Sequence, residues 1–574
     1  MKCKWKYKEI VNNKWIELMI GCLLGIVLLC IYSSKIADIN TVWELGDEAG
    51  YLCNAAYFSG TDWGDVAARL PYYGFGYSVV LTPLFWICHT GIQLIRGAIM
   101  VNIVCIILMY VLQVYVLSHI YKRSMEMYIC AFISCIHPYL MTNTFKVLCE
   151  TILSMWIFLI AFLLIRLMKK NRILDAVLLG ITTGYILYIH TRAIVIIPVV
   201  IILTVIIFKM KQISLGSLIA FIATLAITLV VLYLVKKGIV THSMRMEIGD
   251  ARETTNMLSG DYLWERITWF INDFPLYIIA FNAKLFYLII STGGIICFGV
   301  WEVCKGLKES VKEKKWIHFT VLLFFGAIFA VMLLACTLNG VGLSDNFTYL
   351  FYSRYYEYVT IPMILLGIYS IVFREYKKTI YSIFVIITAI TGIITQLAGR
   401  VYLDTGEIHL DTARIPGFSY LILEDDNFNT FILHGTLYGI VLVVLLAWIK
   451  QRKHTFAVLI LAGCILGSSS RNCIDRILEV NERAYADEEI ARYFEEKGVT
   501  EVGFLNTEYE WSEFYSRMQV LLKDRKLRVI EEQDLNQLED GTCFVSYTNS
   551  AIAQKMEESG KLVKKGADFG IYCK

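Results

Sequence analysis

The chain has 574 residues, 57% of them hydrophobic and 18% charged, with a mean hydropathy of +0.58. A soluble globular domain carries about 45–50% apolar and about 25% charged residues, so that class is excluded. With 53 Lys and Arg against 50 Asp and Glu, the net charge of +3 gives no electrostatic basis for nucleic acid as a partner.

The first apolar run, 16–33, follows Lys2, Lys4, Lys6, Lys8 and Lys14. Lys35 and a tryptophan-containing loop come next instead of a small-residue cleavage site, so the run reads as a retained anchor. The preceding lysines place the N-terminus in the cytoplasm. Further runs of about 20 apolar residues predict spans near 97–121, 127–142, 147–167, 173–190, 193–209, 213–235, 276–301, 317–338, 355–373, 379–398, 431–449 and 455–469. The segment 76–95 is apolar enough to count as one more, and counting it would invert everything downstream. Left on the outer surface as a juxtamembrane or re-entrant helix, it puts the cation-rich connections 122–123, 166–172, 209–211, 305–315, 374–378 and 450–453 on one side. The longer opposite connections are cation-poor, which is the positive-inside pattern. Thirteen spans and an extracytoplasmic C-terminus follow.

Charged residues near the membrane are costly unless paired or used. In the first outer loop, 35–96, Asp47 and Glu48 stand next to each other. They point about 100° apart on a helix, so they do different jobs. A carboxylate here can take the proton of an attacking hydroxyl, or can be a solvated loop acid or helix cap. The run Arg69-Leu70-Pro71-Tyr72-Tyr73-Gly74-Phe75-Gly76-Tyr77 has glycines that let backbone approach a ligand and tyrosines suited to a sugar face. Its bland alternative is an interfacial aromatic belt. Lys146 and Glu150 occupy the short turn between the third and fourth expected helices, either as a helical ion pair or with Glu150 facing Asp47 as second acid or metal ligand. Finally, His190-Thr191-Arg192 and Ser353-Arg354-Tyr355-Tyr356-Glu357 put arginines at the outer ends of spans, to snorkel or to clamp a phosphate.

Residues 470–574 change character, with 15 Lys and Arg against 21 Asp and Glu. Helices over 485–497, 509–523 and 549–559, the last capped by Asn549 or Ser550, alternate with strands over 501–506, 527–531 and 542–547. The pattern predicts a small extracytoplasmic α/β domain. The chain therefore divides into a membrane domain, 1–469, and a soluble domain, 470–574. The 16 cysteines are scattered singly, which argues against a zinc site, and the odd three of the last domain argue against a full disulfide framework.

Taken in order, these motifs resemble the GT-C superfamily of membrane glycosyltransferases, nearest to the protein O-mannosyltransferase and aminoarabinose-transferase type. The resemblance runs through Asp47, Glu48 and Tyr51, then Asp62-Trp63 and Pro71–Tyr77. It continues through Pro138, Glu150-Thr151, the glycine-spaced stretch from Leu179 to Tyr185 with Thr191-Arg192 and Pro198, and Arg354-Tyr355. It implies an inverting transfer from a polyprenyl-phosphate sugar on the outer face of the plasma membrane. The acceptor would be the hydroxyl of an envelope glycan, a lipid or a protein. Asp47 would be the base, with Glu48 as its partner for metal or acceptor positioning. Arg192, Arg354 and Lys146 would meet the donor phosphate. Tyr51, Arg69, Tyr72, Tyr73, Glu150, His190, Tyr355 and Glu357 would line the substrates. Some relatives bind a divalent cation such as Mg or Mn, and others do not. The sequence lacks a Trp-Trp-Asp-Tyr-Gly motif and a β-trefoil-sized outer loop, which sets it apart from oligosaccharyltransferases and protein O-mannosyltransferases. A transporter or flippase of lipid-linked sugars is the competing reading, weakened by only 7 prolines and by charges at the surface instead of the midplane. A sensor or scaffold ranks last, since anchoring does not need so many spans.

Overall fold

The computed structural model describes residues 14–247, 260–340, 348–402, 415–419, 428–452, 454–484, 487–507 and 514–574. The N-terminal lysines before Lys14 and much of the expected outer connections near 248–259, 341–347 and 403–427 lie outside the described residues.

Among the described residues, ten helices are long and apolar enough to cross a membrane. A lone helix satisfies its own backbone, which is what hydrocarbon demands of any spanning segment. Three expected spans are shorter apolar helices: Met125–Cys135, Ile173–Ile189 and Glu357–Phe373. The first of these stops before Pro138, which lacks an N–H and starts the separate helix Pro138–Thr144 with the His137 side chain as its cap. Phe75–Ile87 is likewise a short apolar helix, and Gly91–Ile120 follows it.

The expected single helix over 276–301 is corrected. Two helices, Phe274–Ser291 and Ile295–Lys312, are separated at Gly293 and Gly294, both at positive φ. The second packs along Ile361–Phe373 and Trp316–Gly340, and a Cβ at Gly299 would come within 2.0 Å of the Met363 carbonyl.

One helix, Thr455–Ala484, runs unbroken through residue 470. Beyond it lies a five-stranded sheet of order β2-β1-β3-β5-β4, with β1 Glu501–Asn506, β2 Lys526–Glu531, β3 Cys543–Tyr547, β4 Leu562–Lys565 and β5 Phe569–Cys573. The pairs β1–β2 and β1–β3 are parallel, whereas β3–β5 and β4–β5 are antiparallel. Strands β4 and β5 were not expected: β4 has only four residues, half of them lysine, and β5 carries Gly570 in its interior, which weakens a strand signal. Ser550 caps the helix Ala551–Glu558 by accepting from the Ala553 N–H. Cys543 and Cys573, partners in register on β3 and β5, form a disulfide, and the domain's third cysteine, Cys473, stays free.

The sheet domain sits on the first loop. Trp63 Nε1 donates to the Lys523 carbonyl at 2.9 Å, and Asp65 Oδ2 accepts from the Val529 N–H at 2.8 Å. Asn481 Oδ1, near the end of the long helix, accepts from the N–H groups of Asn40 and Thr41 at 2.6 and 2.9 Å. The first loop is thereby held between the helical bundle and the sheet.

Candidate active site

The helix Leu45–Ser59 starts the site, with Asp47 and Glu48 both in its first turn, where the helix dipole favours negative charge. The two acids part company. Glu48 is 1% exposed, and its oxygens accept the N–H groups of Trp43, Glu44 and Val147 at 2.6, 2.7 and 2.6 Å. It ties the start of its own helix to the 146–150 turn, and no oxygen faces a cleft. Burial pushes its carboxyl up to about 7, against the pull of those donors and of Lys146.

Asp47 points the other way, its side chain 31% exposed. Tyr73 donates its hydroxyl to Asp47 Oδ1 at 2.6 Å, and Arg354 Nη1 lies 2.5 Å from Oδ2. The Tyr73 ring packs against the Asp47 helix at Gly50, where a Cβ would fall 2.0 Å from it, so only glycine fits there. Asn54 holds the same residue by donating to the Tyr73 carbonyl at 2.9 Å.

From Arg354 the charges continue inward. Its Nε donates to Glu150 Oε1 at 2.8 Å, and Arg192 Nη2 donates to that same oxygen at 2.7 Å. Arg192 and Glu150 are almost wholly buried, at 1% and 0%. Acid and guanidinium thus alternate as Asp47, Arg354, Glu150, Arg192. Each contact joins residues far apart in sequence, so helix packing alone assembles the row. Arg192 Nε and Nη1, and Glu150 Oε2, have no hydrogen-bond partner among the described residues. Orphaned buried charges of this kind are rare without a role. The Arg192 guanidinium also lies 5.2 Å from the Tyr355 ring centre and 5.5 Å from that of Tyr358.

The remaining candidates are sorted by where they sit. Lys146 pairs with Glu44 at 3.1 Å, not with Glu150 as an ion pair four residues apart would have it. Its turn is fixed by Asn102, which donates to the Lys146 carbonyl at 2.8 Å and accepts from Tyr77 at 2.9 Å. His190 Nδ1 accepts from the Arg192 N–H at 3.2 Å and so sets the turn that carries the arginine. Tyr51 is buried and donates to Cys149 Sγ at 2.9 Å. Tyr72 is buried beneath Lys236, whose Nζ lies 4.9 Å from the ring centre. Glu357 accepts from Ser353 at 2.6 Å and from Tyr287 at 3.0 Å, away from the charged row. Arg69 pairs with Glu531 of the sheet domain and does not enter the site. The glycines of the 69–77 run do admit a close backbone, but it is the chain's own: a Cβ at Gly74 would lie 2.5 Å from the Ile189 carbonyl.

Two participants were missed. Glu44, which holds Lys146, looked like any loop acid. Tyr139 is buried within electrostatic reach of Glu150 and Arg192, and its hydroxyl has no partner among the described residues. Nothing in an apolar run marks it out.

No group of three or more metal-ligating side chains occurs among the described residues. Glu48 gives its oxygens to backbone, and Asp47 and Glu150 already share the Arg354 guanidinium. This donor set does not fit a divalent cation.

A bundle of membrane helices carries an acidic first loop, with arginines converging on it and an appended α/β domain, and its structural neighbours have the GT-C fold. The chain is similar over 97% of its length to 97% of ArnT from Cupriavidus metallidurans bound to undecaprenyl phosphate, with a TM-score of 0.51 at 11% identity. It is similar to the same extent to that protein in the apo state, with a TM-score of 0.52 at 10% identity. No family model and no curated protein matches the sequence. The likeness is one of fold.

Proposed function

We propose that the chain is an inverting glycosyltransferase that moves a sugar from a polyprenyl phosphate to an acceptor hydroxyl at the outer face of the membrane. The observation that carries this reading is the row Asp47–Arg354–Glu150–Arg192. It sets a partly exposed carboxylate beside two buried guanidiniums, and Arg192 has N–H groups to spare.

Asp47 takes the acceptor proton as the acceptor oxygen attacks the anomeric carbon. The bond from that carbon to the phosphate oxygen breaks, and polyprenyl phosphate leaves. Arg354 and Arg192 neutralise the departing anion, the kind of fixed charge that is worth most in a water-poor site. Before donor arrives, Arg354 holds Asp47 in an ion pair. An incoming phosphate competes for the same guanidinium and so releases the carboxylate to act. Glu48 acts through the backbone it ties down, as a positioning residue. Because the donor set does not fit a cation, no step is routed through a metal.

That ArnT was crystallised with undecaprenyl phosphate supports a polyprenyl-linked donor here. The outer placement rests on loop charge and on the Cys543–Cys573 disulfide, which belongs to an oxidising compartment. The acceptor class, whether envelope glycan, lipid or protein, would be selected near the seam between the first loop and residues 470–574. The charged row lies at one end of the bundle, where a transferase needs it and a transporter does not.

The test is incubation of purified protein with a panel of polyprenyl-phosphate sugars and acceptors. Release of free polyprenyl phosphate is expected with one of them and is lost in D47N. Release that D47N leaves intact would refute the base assignment.

A further inference from the structure

The bundle has a polar cavity at the end opposite Asp47. It has a volume of about 790 Å³ and is bounded by the connections 119–122, 309–318 and 369–374, together with Gln212. A volume in the range of about 300–1,000 Å³ is that of a small-molecule site. These are the connections whose cations set the orientation in the sequence, and here they are brought round one hollow.

Four cations, Lys122, Lys314, Lys315 and Arg374, face it against two carboxylates, Glu309 and Glu313. Both carboxylates are already answered. Arg374 Nη2 lies 2.8 Å from Glu309 while also holding the buried Glu302, and Lys315 lies 2.6 Å from Glu313. Lys122 and Lys314 have no ion pair among the described residues. Deeper in, His318 is 8% exposed, and its Nε2 has no hydrogen-bond partner among the described residues. Its ring stands edge-on to Tyr121 at 5.0 Å, and Tyr121 in turn stacks on Tyr369 at 3.9 Å. Aromatic walls, two spare cations at the rim and an imidazole nitrogen inside without a hydrogen bond, beside the Glu302 carboxylate, make a receptor for an anion larger than a bare ion.

We propose that this cavity binds the phosphate of a membrane-lipid head group, with Lys122 and Lys314 on the phosphate oxygens and His318 on the inner polar part. The site is separate from the charged row and does not depend on the transfer reaction. The shared chemistry is a phosphate anion, and a lipid is the source favoured because the hollow opens at the helix ends, where head groups lie.

The test uses the full chain, purified and stripped of lipid, then titrated with phosphatidylglycerol and read by native mass spectrometry. One tightly held lipid is expected. Its affinity should fall on the order of thirty-fold in K122A/K314A, from the loss of two near-surface cations. Both lysines are exposed, so the melting temperature should not move. K169A/K170A, an equal loss of charge outside the cavity, should keep the affinity within about twofold. Retention by K122A/K314A equal to wild type overturns the site. Displacement of the lipid by inorganic phosphate at matched concentration reassigns the hollow to a soluble anion and overturns the lipid.

Discussion

Arg354 Nη1 lies 2.5 Å from Asp47 Oδ2 while Nε of the same side chain donates to Glu150. One guanidinium therefore joins a partly exposed acid to a fully buried one. Its partners come from an early loop helix and from the start of a membrane helix, so the contact is also a clasp between distant parts of the chain.

Replacing Asp47 by Asn keeps the shape and the Tyr73 hydrogen bond but removes the proton acceptor. Transfer should drop by about 10²–10⁴. Membrane abundance and melting temperature should stay near wild type, because Asp47 is partly exposed. Transfer rate and immunoblot of membranes together check this.

Arg354→Ala should reduce kcat/KM for the donor by about 10²–10³ and change acceptor KM far less. Arg354→Lys should not rescue it, since a point charge cannot bridge Asp47 and Glu150 as the planar fork does. Steady-state kinetics varying each substrate in turn decide the matter. A rise confined to acceptor KM would sink the phosphate assignment.

Glu150→Ala leaves the buried Arg192 guanidinium without its carboxylate, while Arg354 keeps Asp47, and breaking a buried pair from one side costs about 3–5 kcal/mol. Its melting temperature should fall well below that of Asp47→Asn. The comparison separates an acid that holds the fold from the proposed base.

Glu48→Ala orphans three backbone N–H groups, each worth about 1–3 kcal/mol when buried and unmet. Arg69→Ala, by contrast, removes a half-exposed pair with Glu531 and should cost below about 1 kcal/mol without altering donor KM. Thermal melts and donor titrations of both variants check the sorting of these two residues out of the reacting centre.

Maleimide labelling of Cys543 and Cys573 should require prior reduction. The double Ser variant should lose about 3–4 kcal/mol in the sheet domain, from a closed loop of 30 residues. Ready labelling without reductant in intact cells would put the domain in a reducing compartment and overturn the outer placement.

Most of the helices, three of the five strands and the acid-bearing first loop are written in local sequence. Hydrocarbon forces each spanning segment to satisfy its own backbone, so about 20 apolar residues in a row favour a helix, although the run 276–301 breaks at Gly293 and Gly294. A capped helix or alternating strand is decided within a dozen residues in the same way. Which charges meet is not local. Asp47 and Glu48 are neighbours with identical chemistry, yet one faces the cleft and the other ties down backbone, because the 146–150 turn happens to press on one side of their helix. Arg69 and Arg354 look alike beside their tyrosines, but one reaches the sheet domain and the other the acids. Those outcomes depend on contacts across tens to hundreds of residues, set by how helices pack, and only the assembled bundle contains them.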